Sequence, residues 1–328
     1  MAQVSLKNIS KTFSGNVTTL MSRKFIIGID LGGTNLKIAV LDLKYKIKNK
    51  EVLSTRRFRS QQSLISAIVS SINNIIKDNN LTKKDILGVG LGLPGPVDAK
   101  KGLVHFFPNI QGFREVRLKK ILEKKINLPV FLDNDAKLMT LGEYKLGNAS
   151  RFRNVLCLTL GTGVGGGIII SRSLYRGANN ASGEIGHVPL NENGPRCNCQ
   201  GRACLEAYIG NNRIIKAARK LFKRNISLEE LSLKARKQNR LALGIWNQAG
   251  ERLGIALAGA VNLLNLDAIV IGGGVANAGG ILFDKVRKTL KERAMSVQGQ
   301  HVKVFKAKLG NNAGLIGAAI VVKEGRGR

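Results

Sequence analysis

The chain has 328 residues, of which 44% are hydrophobic, and this is enough for two domains with cores of their own. Lys and Arg number 53 against 21 Asp and Glu, but these basic residues are spread along the chain, so the net charge of +32 does not indicate a specific nucleic-acid interface. No apolar run has the length of a membrane span and the amino terminus lacks the apolar stretch of a signal peptide, so we expect a cytoplasmic protein with no membrane partner.

Apolar runs and helical spacing predict the same order of elements twice along the chain. The first copy is predicted to contain strands at 25–30, 36–40, 51–58, 86–93 and 129–132 and helices at 63–77, 118–126 and 137–146. The second is predicted to contain strands at 155–160, 167–170, 268–271 and 302–306 and helices at 211–222, 228–236, 246–264, 284–294 and 313–323. This repetition predicts a duplicated α/β fold with two lobes and a cleft between them.

Three glycine-rich turns follow apolar strands, at 32–34, 161–163 and 272–274. Backbone N–H groups in such turns can cradle phosphate oxygens. Asp30 ends the first strand, where its carboxylate is placed to hold water around a Mg²⁺ ion. The second turn also matches the spacing of a dinucleotide fingerprint, but that motif requires a helix where the sequence predicts the strand at 167–170.

One histidine and three of the four cysteines lie close together in the chain: His187, Cys197, Cys199 and Cys204. This set of side chains suits tetrahedral Zn²⁺. The alternative is three thiols without a metal in a loop, but closely spaced thiols in a polar segment contribute little to packing, which favours zinc. Because all four positions would be filled by protein, the predicted zinc is structural.

The motifs at Asp30-Leu31-Gly32-Gly33-Thr34, Gly161-Thr162-Gly163 and Gly272-Gly273-Gly274 resemble the two phosphate motifs and the adenosine motif of the actin and hexokinase superfamily. The segment from Glu184 to Glu206, with its histidine and cysteines, resembles the signature of the ROK family (repressor, open reading frame, kinase). Together these resemblances extend over about residues 24–323. They imply a ribonuclease-H-like fold of the actin and hexokinase type, and ATP-dependent phosphorylation of a hexose, with glucose converted to glucose 6-phosphate.

The resemblance also implies roles for individual residues. Asp135 matches the catalytic base of the family, although an Asp that opens a helix is also a common N-cap. The implied sugar contacts are Gly95, Asn134, Asp135, Glu184, His187 and Glu206. The implied ATP and Mg²⁺ contacts are Asp30, Gly32, Gly33, Thr34, Lys37, Gly161, Thr162, Gly163, Gly272, Gly273 and Gly274. His187 would place one ring nitrogen on zinc and the other toward the sugar.

Three residues depart from the family pattern. Lys137 stands where the family has Asn, and it could lower the pKa of Asp135, reach phosphate or point to solvent. Gln200 and Ala203 stand where the family has Gly. We expect the neighbouring Gly201 to take over the left-handed backbone conformation that the first of these positions needs.

We predict a small lobe formed by residues 24–135 and 313–328, a large lobe formed by 136–312 with the zinc loop, and an extension over 1–23 outside the fold. Kinases for N-acetylmannosamine, N-acetylglucosamine, fructose or allose remain alternatives. So does a sugar-responsive ROK transcriptional regulator, although the 29 residues before the first phosphate motif are too few for a winged helix-turn-helix domain. A homodimer is expected from the resemblance alone.

Overall fold

A computed structural model describes residues 23–55, 58, 60–107 and 113–327, so the predicted extension lies outside the described residues except for Arg23. The chain divides into two compact units, one formed by Met1–Asp135 with Leu315–Arg328 and the other by Ala136–Gly314. No helix in the described part of the chain combines the length and apolar character that crossing a bilayer requires.

The first unit contains eight strands among its described residues: β1 (Phe25–Leu31), β2 (Asn35–Asp42), β3 (Ile47–Ser54), β4 (Ile86–Leu93), β5 (Val97–Asp98), β6 (Leu103–Phe106), β7 (Arg114–Val116) and β8 (Val130–Asn134). Five of them form a sheet in the order β3-β2-β1-β4-β8, and the short strands β5, β6 and β7 form a second sheet. β1, β2 and β3 pair in antiparallel fashion, whereas β4 and β8 run parallel to β1. The helices α1 (Gln61–Asp78) and α2 (Leu118–Ile126) complete this part of the chain.

α1 shows how the sequence builds this core. Leu64, Ile68, Ile72 and Ile75 recur at helical spacing and are fully buried in the same hydrophobic core as β1 and β4. The side chains of Ser60 and Ser63 each accept a hydrogen bond from the other residue's backbone N–H, which caps the helix start. Apolar spacing and capping therefore place α1 on the sheet.

The second unit repeats the sheet of the first. Its strands are β9 (Val155–Leu160), β10 (Val164–Ile170), β11 (Ser173–Tyr175), β12 (Ala268–Gly272) and β13 (Lys303–Lys306), in the order β11-β10-β9-β12-β13. Its helices are α3 (Asp135–Leu146), α4 (Glu206–Ile209), α5 (Asn211–Phe222), α6 (Leu228–Arg236), α7 (Arg240–Leu264), α8 (Gly280–Arg293) and α9 (Ser296–His301). The matching strand order confirms the predicted duplicated α/β plan.

The last helix, α10 (Ala313–Arg326), belongs to the first unit from Leu315 onward. It lies directly on β4, because a Cβ atom added at Gly90 would overlap the carbonyl oxygen of Ala318. Val322 fills the space beside Gly88 in the same way. Glycine in β4 therefore lets the backbone of the final helix approach the sheet closely.

Candidate functional site

Acidic residues meet at the carboxyl edge of the first sheet. In the strand register Asp30 of β1 lies opposite Gly92 of β4, and Gly92 lies opposite Asp133 of β8. Because adjacent strands are about 4.8 Å apart, the backbones at Asp30 and Asp133 are separated by about 10 Å. Asp135 follows two residues later as the first residue of α3. The fold thus brings the predicted base and the predicted Mg²⁺ residue of the first unit to one edge.

Asn134 ties three of the predicted sugar contacts together. Its side-chain Nδ2 donates to the carbonyl oxygen of Gly95 over 3.2 Å and to Oδ1 of Asp135 over 3.2 Å. Gly95 has a φ of 87°, which suits glycine and turns its carbonyl toward this amide. Gly95, Asn134 and Asp135 therefore form one hydrogen-bonded group.

The first glycine turn is closed by residues of its own hairpin and the strand beside it. The backbone N–H of Gly32 donates to the carbonyl oxygen of Asn35 over 2.9 Å, and the backbone N–H of Thr55 donates to that of Thr34 over 3.0 Å. Lys37 forms an ion pair with Asp30, with 2.9 Å between Nζ and Oδ2. The turn leaves Gly33 and Thr34 exposed, so their polar groups are accessible to a ligand.

The second glycine turn is closed by its own hydrogen bond, from the backbone N–H of Gly161 to the carbonyl oxygen of Gly163 over 2.9 Å, and it is also held by residues outside its hairpin. The backbone N–H of Asn211 donates to the carbonyl oxygen of Gly161 over 2.9 Å, and the backbone N–H of Val164 donates to Oε2 of Glu206 over 2.9 Å. A Cβ atom at Gly163 would overlap the same carboxylate oxygen. Because β10 follows as a strand and not a helix, the turn does not form a dinucleotide fingerprint, as predicted.

The third glycine turn lies beside the second. β12 pairs in parallel with β9, and its last residue, Gly272, lies opposite Thr159. Gly273 has a φ of 88°, and Gly274 lies against the side-chain amide of Asn211. Both turns of the second unit therefore share one sheet edge.

Asn211 is a candidate site residue that the sequence did not indicate. It contacts both turns of the second unit, and its side-chain Oδ1 is buried with no hydrogen-bond partner among the described residues. Buried polar atoms are normally satisfied, so an atom of this kind calls for a water or a ligand group. An Asn at the start of a helix is common, which is why its sequence position gave no signal.

The four predicted zinc ligands come together. Nδ1 of His187 and Sγ of Cys197 are 3.7 Å apart, Sγ of Cys199 and Sγ of Cys204 are 3.7 Å apart, and one ligand atom from each of the four residues lies within 4.8 Å of the others. A tetrahedron with Zn–S bonds near 2.3 Å has edges of about 3.8 Å. The donor set and its spacing therefore fit a zinc ion.

The three thiols of the cluster differ in their pKa values. Burial, followed by the contacts with the two other thiols, raises the pKa of Cys204 to about 12. Burial also raises the pKa of Cys197, whereas the backbone N–H of Gly201 lowers the pKa of the exposed Cys199. Three neighbouring thiols resist joint ionisation without a cation, so a metal that binds here must displace protons.

The backbone of the cysteine loop corrects one expectation. Gln200 and Ala203 adopt the left-handed conformation themselves, with φ of 72° and 57°, and Gly201 does not. Gly201 lies between sulfur atoms instead, since a Cβ atom there would be 3.3 Å from Sγ of Cys199 and 3.4 Å from Sγ of Cys204. The expectation that Gly201 takes over the left-handed conformation is wrong, because Gln200 adopts it itself. A glycine at position 201 instead leaves space for the two sulfur atoms.

Glu206 links the cysteine cluster to the second turn. Its Oε1 accepts a hydrogen bond from Sγ of Cys197 over 3.8 Å, while its Oε2 holds the N–H of Val164. Glu184, another predicted sugar contact, is exposed and precedes the short 3₁₀ turn Ile185–His187 that carries the histidine of the cluster. Of the predicted sugar residues of the second unit, Glu206 thus contacts the cysteine cluster, His187 belongs to it and Glu184 begins the turn that carries His187.

Comparison with known proteins shows which family this chain belongs to and which proteins are similar to it. A sequence model of the ROK family matches residues 26–325. The glucokinase of Halalkalibacterium halodurans is 32% identical over 319 residues, which cover 93% of this chain and 96% of that protein. The xylose repressor of Caldicellulosiruptor bescii is 28% identical over 310 residues, which cover 90% of this chain and 77% of that protein. The crystal structure of a ROK family glucokinase from Streptomyces griseus in complex with glucose and AMPPNP matches with a TM-score of 0.81 and 29% identity, over 92% of this chain and 99% of that one.

Proposed function

We propose that this chain, which belongs to the ROK family, is an ATP-dependent hexose kinase whose preferred substrate is glucose. The similarity to a glucokinase along nearly the whole chain supports this, as does the structural similarity to a glucokinase in complex with glucose and AMPPNP. The observation that carries the proposal is the group formed by Gly95, Asn134 and Asp135 at the same sheet edge as Asp30.

Asp135 is the proposed general base. Its carboxylate would accept the proton of the attacking sugar hydroxyl as the new O–P bond forms and the bond to the leaving ADP breaks. The amide of Asn134 donates to Oδ1 of Asp135 and so fixes the orientation of the carboxylate. Gly95, Glu184, His187 and Glu206 are the further proposed sugar contacts.

The glycine turns are the proposed ATP contacts. In the first unit, Gly32, Gly33 and Thr34 would donate hydrogen bonds to phosphate oxygens. The ion pair of Asp30 and Lys37 would contribute the charged groups next to the phosphates and Mg²⁺. In the second unit the proposed contacts are Gly161, Thr162 and Gly163 for phosphate and Gly272, Gly273 and Gly274 for adenosine. Mg²⁺, when bound, would neutralise charge on the transferred phosphoryl group.

We also propose that His187, Cys197, Cys199 and Cys204 hold a structural zinc ion. The closeness of the four ligand atoms, which all lie within 4.8 Å of one another, supports it. With all four positions filled by protein, the ion would fix the loop and leave the chemistry to other residues. Metal analysis of protein purified after zinc-replete expression should find one zinc per chain, and protein free of bound zinc would contradict the assignment.

A coupled assay of ADP release over a panel of hexoses tests the kinase proposal. Glucose should give the highest kcat/KM, and Asp135→Asn should lower kcat by about 10³-fold, since general-base catalysis contributes about 10² to 10⁴. Asp284→Asn, which changes an exposed carboxylate on α8, is the matched control and should leave kcat unchanged. If no hexose raises ADP release by the unaltered protein above the level of the Asp135→Asn variant, the proposal fails.

A sugar-responsive regulator is the second candidate, and similarity to the xylose repressor supports it. Binding to DNA duplexes at physiological salt separates the two functions. We expect only weak, sequence-independent affinity, with a Kd of about 10⁻⁴ to 10⁻⁶ M that weakens as salt rises. Tight binding to one duplex that a sugar releases would favour the regulator.

A further inference from the structure

Lys137 is a buried amine in the first turn of α3. All residues from Ala136 to Glu143 of this helix are buried, and the side chain of Lys137 is only 2% exposed. Lysine is rarely buried to this extent, because removing an ammonium group from water is costly unless polar partners receive it. The position therefore excludes the expectation that Lys137 points to solvent.

The Lys137 amine reaches another segment of the same unit. Its Nζ donates a hydrogen bond to the backbone carbonyl oxygen of Asn180. α3 is a firm base for this contact, since Glu143 accepts hydrogen bonds from the backbone N–H groups of Lys308 and Leu309 over 3.0 and 2.7 Å. Lys137 thus joins a fixed helix to the middle of a loop.

That loop, residues 176–184, ends at a proposed sugar contact. Its ends are fastened by hydrogen bonds from Ser182, whose backbone N–H donates to the carbonyl oxygen of Arg176 over 3.2 Å and whose Oγ donates to that of Tyr175 over 2.6 Å. Asn180 lies between these points in the left-handed conformation, with φ of 62°. Four residues later, the exposed Glu184 begins the turn that carries His187.

We infer that Lys137 is a positioning residue that sets Glu184 for the sugar by anchoring the loop at Asn180, an inference that rests on the proposed kinase function. The contact that carries it is the buried ammonium group on the Asn180 carbonyl. A hydrogen bond from a charged donor is stronger than one between neutral groups. Without it, the loop would keep its fastened ends but lose the anchor in its middle.

Lys137→Met tests the inference, because methionine fills a similar volume without a donor. We expect amide hydrogen exchange in residues 176–184 to become about ten-fold faster in the ligand-free protein, as the loss of one such bond predicts. The KM for glucose should rise about ten-fold, while the KM for ATP should stay within about two-fold of the original value. Lys137→Gln keeps a donor and should restore part of both effects.

Lys145→Met is the matched control, since Lys145 is an exposed lysine on the same helix. It should change neither exchange nor KM. Unaltered exchange in residues 176–184 of the Lys137→Met variant would overturn the inference, as would equal increases of both KM values. Faster loop exchange in Lys137→Met, combined with an unaltered protein that phosphorylates no hexose, would support the anchor and reject the kinase proposal, so the two failures are distinguishable.

Discussion

The two five-stranded sheets have the same strand order, yet their first glycine turns are secured differently. The turn at 32–34 is held by its own hairpin, by Thr55 of the adjoining segment and by the ion pair of Asp30 with Lys37. The turn at 161–163 also has a hydrogen bond of its own, but it is held in addition by Asn211 and by Glu206, and Glu206 also contacts Cys197 of the cysteine cluster. Duplication has therefore preserved the topology but not the support, and only the second turn is connected to the proposed zinc loop.

Removal of the metal should give the largest difference in amide exchange between the two turns. Structural zinc binds with an apparent free energy of about 10 to 16 kcal/mol, so its loss should release the cysteine loop together with Glu206, which follows the proposed ligand Cys204 by two residues. We expect amide exchange in residues 161–166 to become on the order of 100-fold faster after chelation, while exchange in residues 30–37 stays unchanged. Hydrogen exchange followed by mass spectrometry measures both segments in one sample.

Adding zinc back is the control for chelation and should restore slow exchange at 161–166. Exchange that rises equally in both turns would show general loosening, and the proposed link through Glu206 would then be wrong. Exchange that rises in neither turn would show that the second turn does not need the metal loop.

A pair of glycine substitutions tests the same comparison through the free energy of unfolding, with a smaller expected effect. Gly163→Ala would push the carboxylate of Glu206 away from the backbone N–H of Val164, and the loss of that hydrogen bond should lower the free energy of unfolding by about 1 kcal/mol. Gly32→Ala should change it by less than about 0.5 kcal/mol, because the nearest atom to the added Cβ is the carbonyl oxygen of Asn35 at 3.7 Å. Urea unfolding monitored by circular dichroism measures both values.

Gly161→Ala is a control within the second turn itself, since no atom lies within 4 Å of the added Cβ. It should behave like Gly32→Ala. A loss at Gly161 as large as that at Gly163 would place the sensitivity in the turn as a whole and not in its contact with Glu206.

The smallest expected effect is a gain within the cysteine loop. Gln200 is exposed and has a φ of 72°, so Gln200→Gly should remove strain and stabilise the metal-free protein by about 0.5 to 1 kcal/mol. Thermal unfolding in the presence of a chelator measures this gain. The same substitution at Gln238, which has a φ of 60° outside the loop, should give a similar gain, whereas destabilisation at Gln200 alone would assign its side chain a role that strain does not explain.

Regular apolar spacing made much of the fold predictable. The strand at 155–160 and the helices at 118–126, 211–222 and 228–236 have the predicted bounds, and the family and the α/β fold are confirmed. β3 was predicted at 51–58 but occupies Ile47–Ser54, because it is an edge strand without buried residues and gives no clear alternation. The small sheet of β5, β6 and β7 was missed, since strands of two to four residues carry too little pattern.

The contacts between residues of the candidate site were harder to predict from the sequence than the clustering of its metal-ligand set. The clustering of His187 with three cysteines follows from ligand chemistry, so their spacing was visible in the sequence. The second contact of Glu206 and the place of Asn211 depend on how β10, α4 and α5 pack, which no local pattern encodes. Lys137 stood out as a departure, but only the fold shows that its amine reaches Asn180.

The course of the chain through the two units has a consequence for biosynthesis. The strands of the first sheet emerge from the ribosome before the second unit, whereas α10, whose backbone lies against Gly90, emerges after it. The whole second unit is synthesised in between, as one continuous segment. Domains commonly fold in order from the amino terminus. Here the later segment can fold first, because the first unit lacks the helix that packs on its sheet until the second unit has been synthesised.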